Sequence, residues 1–137
     1  MNQLTNLNWI SILLAFVAYS MLGALWFTAL FVKSYKISLG RGSETLQNKA
    51  PIFIVGPAIC SLVITIVSAV LINALQIHTL GAALEFALLI GIGYLVANTV
   101  NIAINPNIPR PLMYGAISGA YHLVGISIAC CILASMQ

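Results

Sequence analysis

The 137 residues are 61% hydrophobic and 5% charged, with five Lys or Arg, two Asp or Glu and a formal charge of +3. An ordinary soluble domain carries roughly 25% charged residues. So few charges cannot cover the surface of a water-soluble fold of this size, which excludes that class and leaves the membrane.

Residues 50–84, 86–109 and 111–137 contain no Lys, Arg, Asp or Glu. One bilayer crossing takes about 20 apolar residues. The positive charge is no nucleic-acid footprint either, because Lys33, Lys36, Arg41 and Lys49 fall in one interruption of the apolar pattern and Arg110 in another. Such clustering is a topology signal, and nucleic acid is not an expected partner.

In chain order, the first span is expected at about 9–31, with Trp9 and Trp26 as interfacial anchors. The apolar stretch that opens it is too long for a signal-peptide core, so a retained helix is expected. A polar loop follows over about 32–50. Its Gly40-Arg41-Gly42-Ser43 breaks the helix, and Ser43 is placed to cap a short surface helix through Asn48. Pro51 opens a second span at 51–74, where its missing N–H costs nothing. A tight turn over 76–79 leads to a third span at about 80–104. Three prolines in Asn105-Pro106-Asn107-Ile108-Pro109-Arg110-Pro111 forbid a continuous helix. The fourth span runs over about 112–136. The expected architecture is all-α, one polytopic four-helix bundle forming a single transmembrane domain over residues 1–137.

Four crossings place both termini on one side and all five basic residues on the other. The basic side is expected to be cytoplasmic, with both termini outside a bacterial inner membrane.

Lipid provides no hydrophobic drive for helix association, so close packing and hydrogen bonds must supply it. In the fourth span Gly115, Ser118, Gly119, His122, Gly125 and Ala129 share one face, and Gly115 with Gly119 forms a GxxxG pair. That face is expected to pack closely and to carry self-association, another membrane subunit being the alternative partner. Ser61, Thr65 and Ser68 form a polar stripe on the second span, which Pro57 is expected to bend. Tyr94, Asn98, Asn101 and Asn105 form one on the third. Both stripes are expected to look inward, toward each other or toward a second subunit.

The first span carries Asn8-Trp9, Phe16-x-x-Tyr19 and Gly23-Ala24-Leu25-Trp26-Phe27, and the loop carries Leu39-Gly40 and Ser43-Glu44. This set of short motifs resembles domain-of-unknown-function family 1761. Arg110-Pro111-Leu112 and Gly119-Ala120-Tyr121-His122-Leu123-Val124 resemble the family's closing Arg and Gly-Tyr-His-Leu motif. Where the family's third helix leads into an aromatic-acidic segment, this chain has Asn105-Pro106-Asn107. The resemblance spans nearly the whole chain. It implies a bacterial four-helix membrane protein and no established activity.

His122 is the sharpest candidate, since an ionisable side chain near the bilayer midplane is a functional-site hypothesis by default. The competing role is a hydrogen bond across helices that holds the packing. Glu85, the one acid within a span, lies about a turn inside the third helix, as a proton-carrying group or a shallow interfacial acid. Tyr121, Tyr94, Asn98 and Asn101 complete a candidate polar site, against a role for the asparagines as inter-helix glue. Arg110 sets topology or meets a lipid phosphate. Gly115, Gly119 and Gly125 are packing positions. Cys60, Cys130 and Cys131 sit in apolar runs, with neither disulfide nor metal spacing. No HExxH, phosphate loop or carboxylate pair occurs, so no cofactor or catalytic constellation is expected. Three function classes remain: an oligomeric bundle binding or passing a small solute or ion, a structural or accessory subunit, and a membrane enzyme, which the residue inventory supports least.

Overall fold

The computed structural model describes residues 7–42 and 50–136. Among these, four helices are long and apolar enough to cross a membrane: Trp9–Leu30, Ile52–Ala74, Leu80–Ala103 and Pro111–Ser135. The chain is an all-α membrane protein. The expected surface helix from Ser43 through Asn48 lies outside the described residues. A short helix does occur earlier, at Val32–Ser38, directly after the first span and separated from it by the kink at Phe31.

Caps explain two of the starts. The Asn8 side chain accepts from the backbone N–H groups of Ile10 and Ser11, and Thr79 accepts from that of Ala82. Pro111 stands at the first position of the fourth span, where a missing N–H is harmless.

The fourth span is the central element. Half of its most apolar stretch is buried, against 22–28% in the other three, and it packs on each of them. The first and fourth spans run antiparallel and interlock at glycines. The Tyr19 ring lies where a Cβ on Gly125 would be, and the Tyr121 ring lies against Gly23, its hydroxyl 2.9 Å from where a Cβ would stand. Trp26 Nε1 donates to the Ile117 carbonyl (3.1 Å), and Asn8 Nδ2 donates to that of Met136 (2.8 Å). Aromatic rings thus enter notches that only glycine leaves open.

The third span docks on the other flank. Val96 covers Gly119 and Val100 covers Gly115, each 3.2 Å from an ideal Cβ position, while Leu123 and Ile126 cover Gly91. The GxxxG pair of the fourth span is therefore taken up inside the chain. Along the third span these contacts step by five residues from Gly91 to Val96 and by four from Val96 to Val100. The five-residue step coincides with a π-helical turn, Gly91–Val96. A five-residue step in a regular α-helix would rotate the contact face by about 140°. The wider turn absorbs that rotation and keeps both valines on the fourth span. A second π turn, Trp26–Leu30, ends the first span.

At one end of the bundle the short helix packs on the start of the fourth span. Tyr35 and Tyr114 have ring centroids 5.7 Å apart, and the Arg110 N–H donates to the Ser38 carbonyl. Gly40 adopts φ +72°, and an ideal Cβ there would lie 2.9 Å from Pro109. Lys33, Lys36, Arg41 and Arg110 consequently gather at this end, the arrangement that alternate crossing demands.

Candidate functional site

Of the expected inward stripes, one is inward. Ser61, Thr65 and Ser68 are buried, and each hydroxyl donates to a carbonyl four residues back, those of Pro57, Ser61 and Ile64. Their polarity is thus largely answered within the second span.

The third-span stripe is not inward. Tyr94 is 74% exposed, and Asn98 and Asn101 are exposed on the outer surface of the chain. Within the chain they meet neither His122 nor the second-span stripe, and of the two expected arrangements the one toward a second subunit is left. The π turn between Gly91 and Val96 turns small and apolar residues onto the fourth span and leaves the amides outside. Glu85 is exposed as well. Asn105 belongs to the turn after the third span, where its Oδ1 accepts from the Asn107 N–H (2.8 Å).

His122 and Tyr121 do come together, joined by residues of the other three spans and of the short helix. His122 lies one residue before the centre of the fourth span. Its Nδ1 is 3.0 Å from the Tyr19 hydroxyl, the phenol donating when Nδ1 is bare and accepting when Nδ1 carries the proton. Nε2 has no hydrogen-bond partner among the described residues. Tyr19, missed as a site residue, was readable from the i, i+4 run Ser11, Ala15, Tyr19.

From His122 a cavity of about 280 Å³ extends toward the basic end. Its floor is Ser118, Tyr121 and His122, and its walls are Ser61 with Ile64 and Thr99 with Ile102. Phe27, Tyr35 and Tyr114 close the end nearest the basic loop. Ser118 is 5% exposed, and its Oγ has no hydrogen-bond partner; among the buried side-chain oxygens and nitrogens of the described residues, only Ser20 Oγ shares this. Ser118, unlike Ser20, lines the cavity. Tyr35, in the short helix outside the spans, has its phenol pushed up to about 12 by burial, with Tyr114 beside it adding to the effect.

A second cavity, about 340 Å³, lies at the opposite end of the bundle, lined by Asn8, Ser11, Asn73, Gln76, His78 and Met136 among others. Ser61 borders the first cavity and Ala69 the second, and the buried Thr65 and Ser68 lie between them on the second span. Gln76 holds φ +54° at the rim of the second cavity, a conformation rare outside glycine and asparagine. Among the described residues, no three His, Cys, Asp or Glu side chains are grouped as metal ligands.

The family model described as protein of unknown function (DUF1761) matches residues 10–134, nearly the whole chain. The chain belongs to that family. No curated protein and no solved structure matches it. In this DUF1761 chain the Gly-Tyr-His-Leu motif at 119–123 has a structural content. Gly119 receives Val96, Tyr121 fills the notch at Gly23, and His122 holds Tyr19 and borders the cavity.

Proposed function

We propose that this DUF1761 chain is a binding or permeation unit for a small solute or ion, with the cavity at Ser118, Tyr121 and His122 as its site. One observation carries the reading: the buried, unpartnered Ser118 hydroxyl lines the same cavity as His122. An unsatisfied hydroxyl in a lipid-embedded core costs about 1–3 kcal/mol, which a ligand would recover. The two cavities, separated by the Thr65 and Ser68 layer, support passage over binding alone. Tyr94, Asn98, Asn101 and Glu85 are left out of the site.

The proposal includes a cytoplasmic basic end and both termini outside a bacterial inner membrane, supported by the one-sided distribution of basic residues. Self-association through the fourth span belongs to the proposal. With Gly115 and Gly119 occupied inside the chain, the surface left for it is the exposed face carrying Ala116, Ala120 and Val124.

The test is flux into reconstituted liposomes under imposed pH and ion gradients. Flux that falls at least tenfold in Ser118→Ala, with the melting temperature retained, supports the reading. No flux and no binding under any gradient overturns it.

A second reading, an accessory subunit without activity of its own, is favoured by the outward Asn98 and Asn101 side chains, which have no partner among the described residues. Amides on that surface suit the hydrogen-bonding groups of another membrane helix. Under this reading Asn98→Leu with Asn101→Leu dissociates a complex and leaves the isolated chain stable.

A further inference from the structure

The cavity opens sideways. The second and third spans are not packed on one another; each leans on the fourth. Between them the cavity reaches the surface at Pro57, Cys60 and Ile102, all exposed. Cys60 is eight residues from the start of its span and Ser118 seven from the start of its own. At about 1.5 Å per residue both lie roughly 10–12 Å in from the helix ends. Half of the hydrocarbon layer is about 15 Å, so the Cys60 side of the mouth faces acyl chains, while Ile102, next to the last residue of its span, marks the edge of the mouth at the membrane surface.

The lining restricts what can enter. None of the described residues lining the cavity is Lys, Arg, Asp or Glu, so a charged head group would meet no counter-charge from them at a depth where one is needed. The groups that do face it are hydroxyls, aromatic rings and one imidazole. The volume is about 280 Å³, against the roughly 150 Å³ in which an engineered protein cavity holds benzene. A substituted ring fits. A helix from a second copy, about 10 Å across, does not.

We propose that the cavity takes the ring-sized, hydrogen-bonding head group of an uncharged, membrane-dissolved amphiphile, which enters from the acyl-chain region between the second and third spans. The Ser118 hydroxyl bonds the head group, and the tail remains in the lipid gap outside Pro57 and Cys60. This deepens the binding reading above and rests on it.

Trp26 supplies the reporter, because its ring centroid is 6.5 Å from that of Tyr121 at the cavity floor. In a Trp9→Phe background it is the sole tryptophan. The protein is reconstituted in phosphatidylcholine vesicles and titrated with decyl-trimethyl-1,4-benzoquinone, a neutral quenching amphiphile. The expected result is a saturable component above the linear collisional quenching. Ser118→Ala is expected to raise its half-saturating mole fraction about tenfold without lowering the melting temperature. Cys60→Phe, an exposed change at the mouth, is expected to weaken it independently. Decyltrimethylammonium, equal in tail but charged, is expected not to compete. Acrylamide from the water phase is expected to quench equally with and without Ser118.

Absence of a saturable component overturns the inference, while the flux assay on the same vesicles judges the binding reading by itself. Equal competition by the ammonium compound overturns the uncharged head group. Saturable acrylamide quenching that Ser118→Ala removes overturns entry from lipid and leaves a water-fed site.

Discussion

The Tyr19 hydroxyl and the Nδ1 of His122 lie 3.0 Å apart, joining the first span to the fourth next to its centre. The same Tyr19 ring occupies the notch of Gly125. One tyrosine is therefore both the packing key between two helices and the anchor of the imidazole at the cavity floor. Nδ1 of His122 is engaged by Tyr19, and the residue also lines the cavity, so the proposed site would draw on Nε2.

That arrangement predicts a split between two substitutions. Replacing His122 by Ala leaves the Tyr19 hydroxyl only its longer contact, 3.5 Å, to the backbone carbonyl of residue 122, and is expected to cost up to about 1 kcal/mol, the scale of inter-helix hydrogen bonds in membranes. His122→Asn presents a polar group near the Nδ1 position and is expected to keep most of that stability. Both lose Nε2 and should lose ligand binding or flux alike. Thermal unfolding in detergent beside the liposome assay checks this; equal melting temperatures for the two variants would refute the hydrogen bond's contribution.

The glycines should rank by the space a Cβ meets. Gly125→Ala drives a methyl into the Tyr19 ring and is expected to cost about 1–3 kcal/mol. Gly115→Ala and Gly119→Ala meet valine methyls at 3.2 Å, which can give slightly, and should cost less. Gly81→Ala has nothing within 4 Å and should be neutral or stabilising by about 1 kcal/mol. A melting series of the four variants reads the order directly.

The π turn of the third span predicts which deletion the fold accepts. Gly93 is exposed, with nothing within 4 Å of its Cβ position, and it lies inside the five-residue step. Removing it converts the turn to regular α-helix with Gly91 and Val96 still on the fourth span. Removing Asn98 instead rotates Val100 off Gly115 by about 100°. The first deletion is expected to fold as a monodisperse species with a near wild-type melting temperature, the second to melt well below it.

Tyr35 predicts an alkaline limit. Its phenol is raised from 10.0 to about 12 in the fold. Its contribution is complete below pH 10, where the phenol is neutral in both states. Between pH 10 and about 12 the unfolded chain sheds the proton first, so that contribution is lost. Tyr35→Phe should remove this part of the alkaline destabilisation, measured as the difference in melting temperature from wild type between pH 9 and 11.

The gathering of Lys33, Lys36, Arg41 and Arg110 at one end predicts orientation. A reporter active only outside the cytoplasm, fused after residue 137, should be active, and moving three lysines to the amino terminus should reduce that activity. An inactive fusion of the unaltered chain, with the protein inserted, would reverse the assigned topology.

Much of this molecule was legible without coordinates. Three charge-free runs and a fourth apolar stretch define four crossings, because bilayer thickness sets helix length regardless of how helices pack. The spans at 9–31, 51–74, 80–104 and 112–136 agree with the observed helices to within about one residue at each end. The close-packed face of the fourth span and the inward hydroxyls of Ser61, Thr65 and Ser68 were legible for a related reason: small residues at helical spacing mark where backbones approach. The neighbours of that face were not legible. Gly115 and Gly119 suited a second copy as well as Val100 and Val96, since a glycine notch carries no record of what fills it.

What the sequence by itself determined is the membrane class, the number of crossings, the one-sided distribution of basic residues and the mid-span depth of His122. Each follows from composition and from the fixed rise of a helix. Only the tertiary structure decided that Tyr19 meets His122, that Ser118 opens on a cavity, and that Asn98 and Asn101 face outward. The reason is rotational. A single π turn between Gly91 and Val96 changes which residues of the third span face the fourth, and a 3.6-residue reading of the sequence assumes no such turn. Pairing across helices likewise depends on which spans lean together, and here the second and third do not.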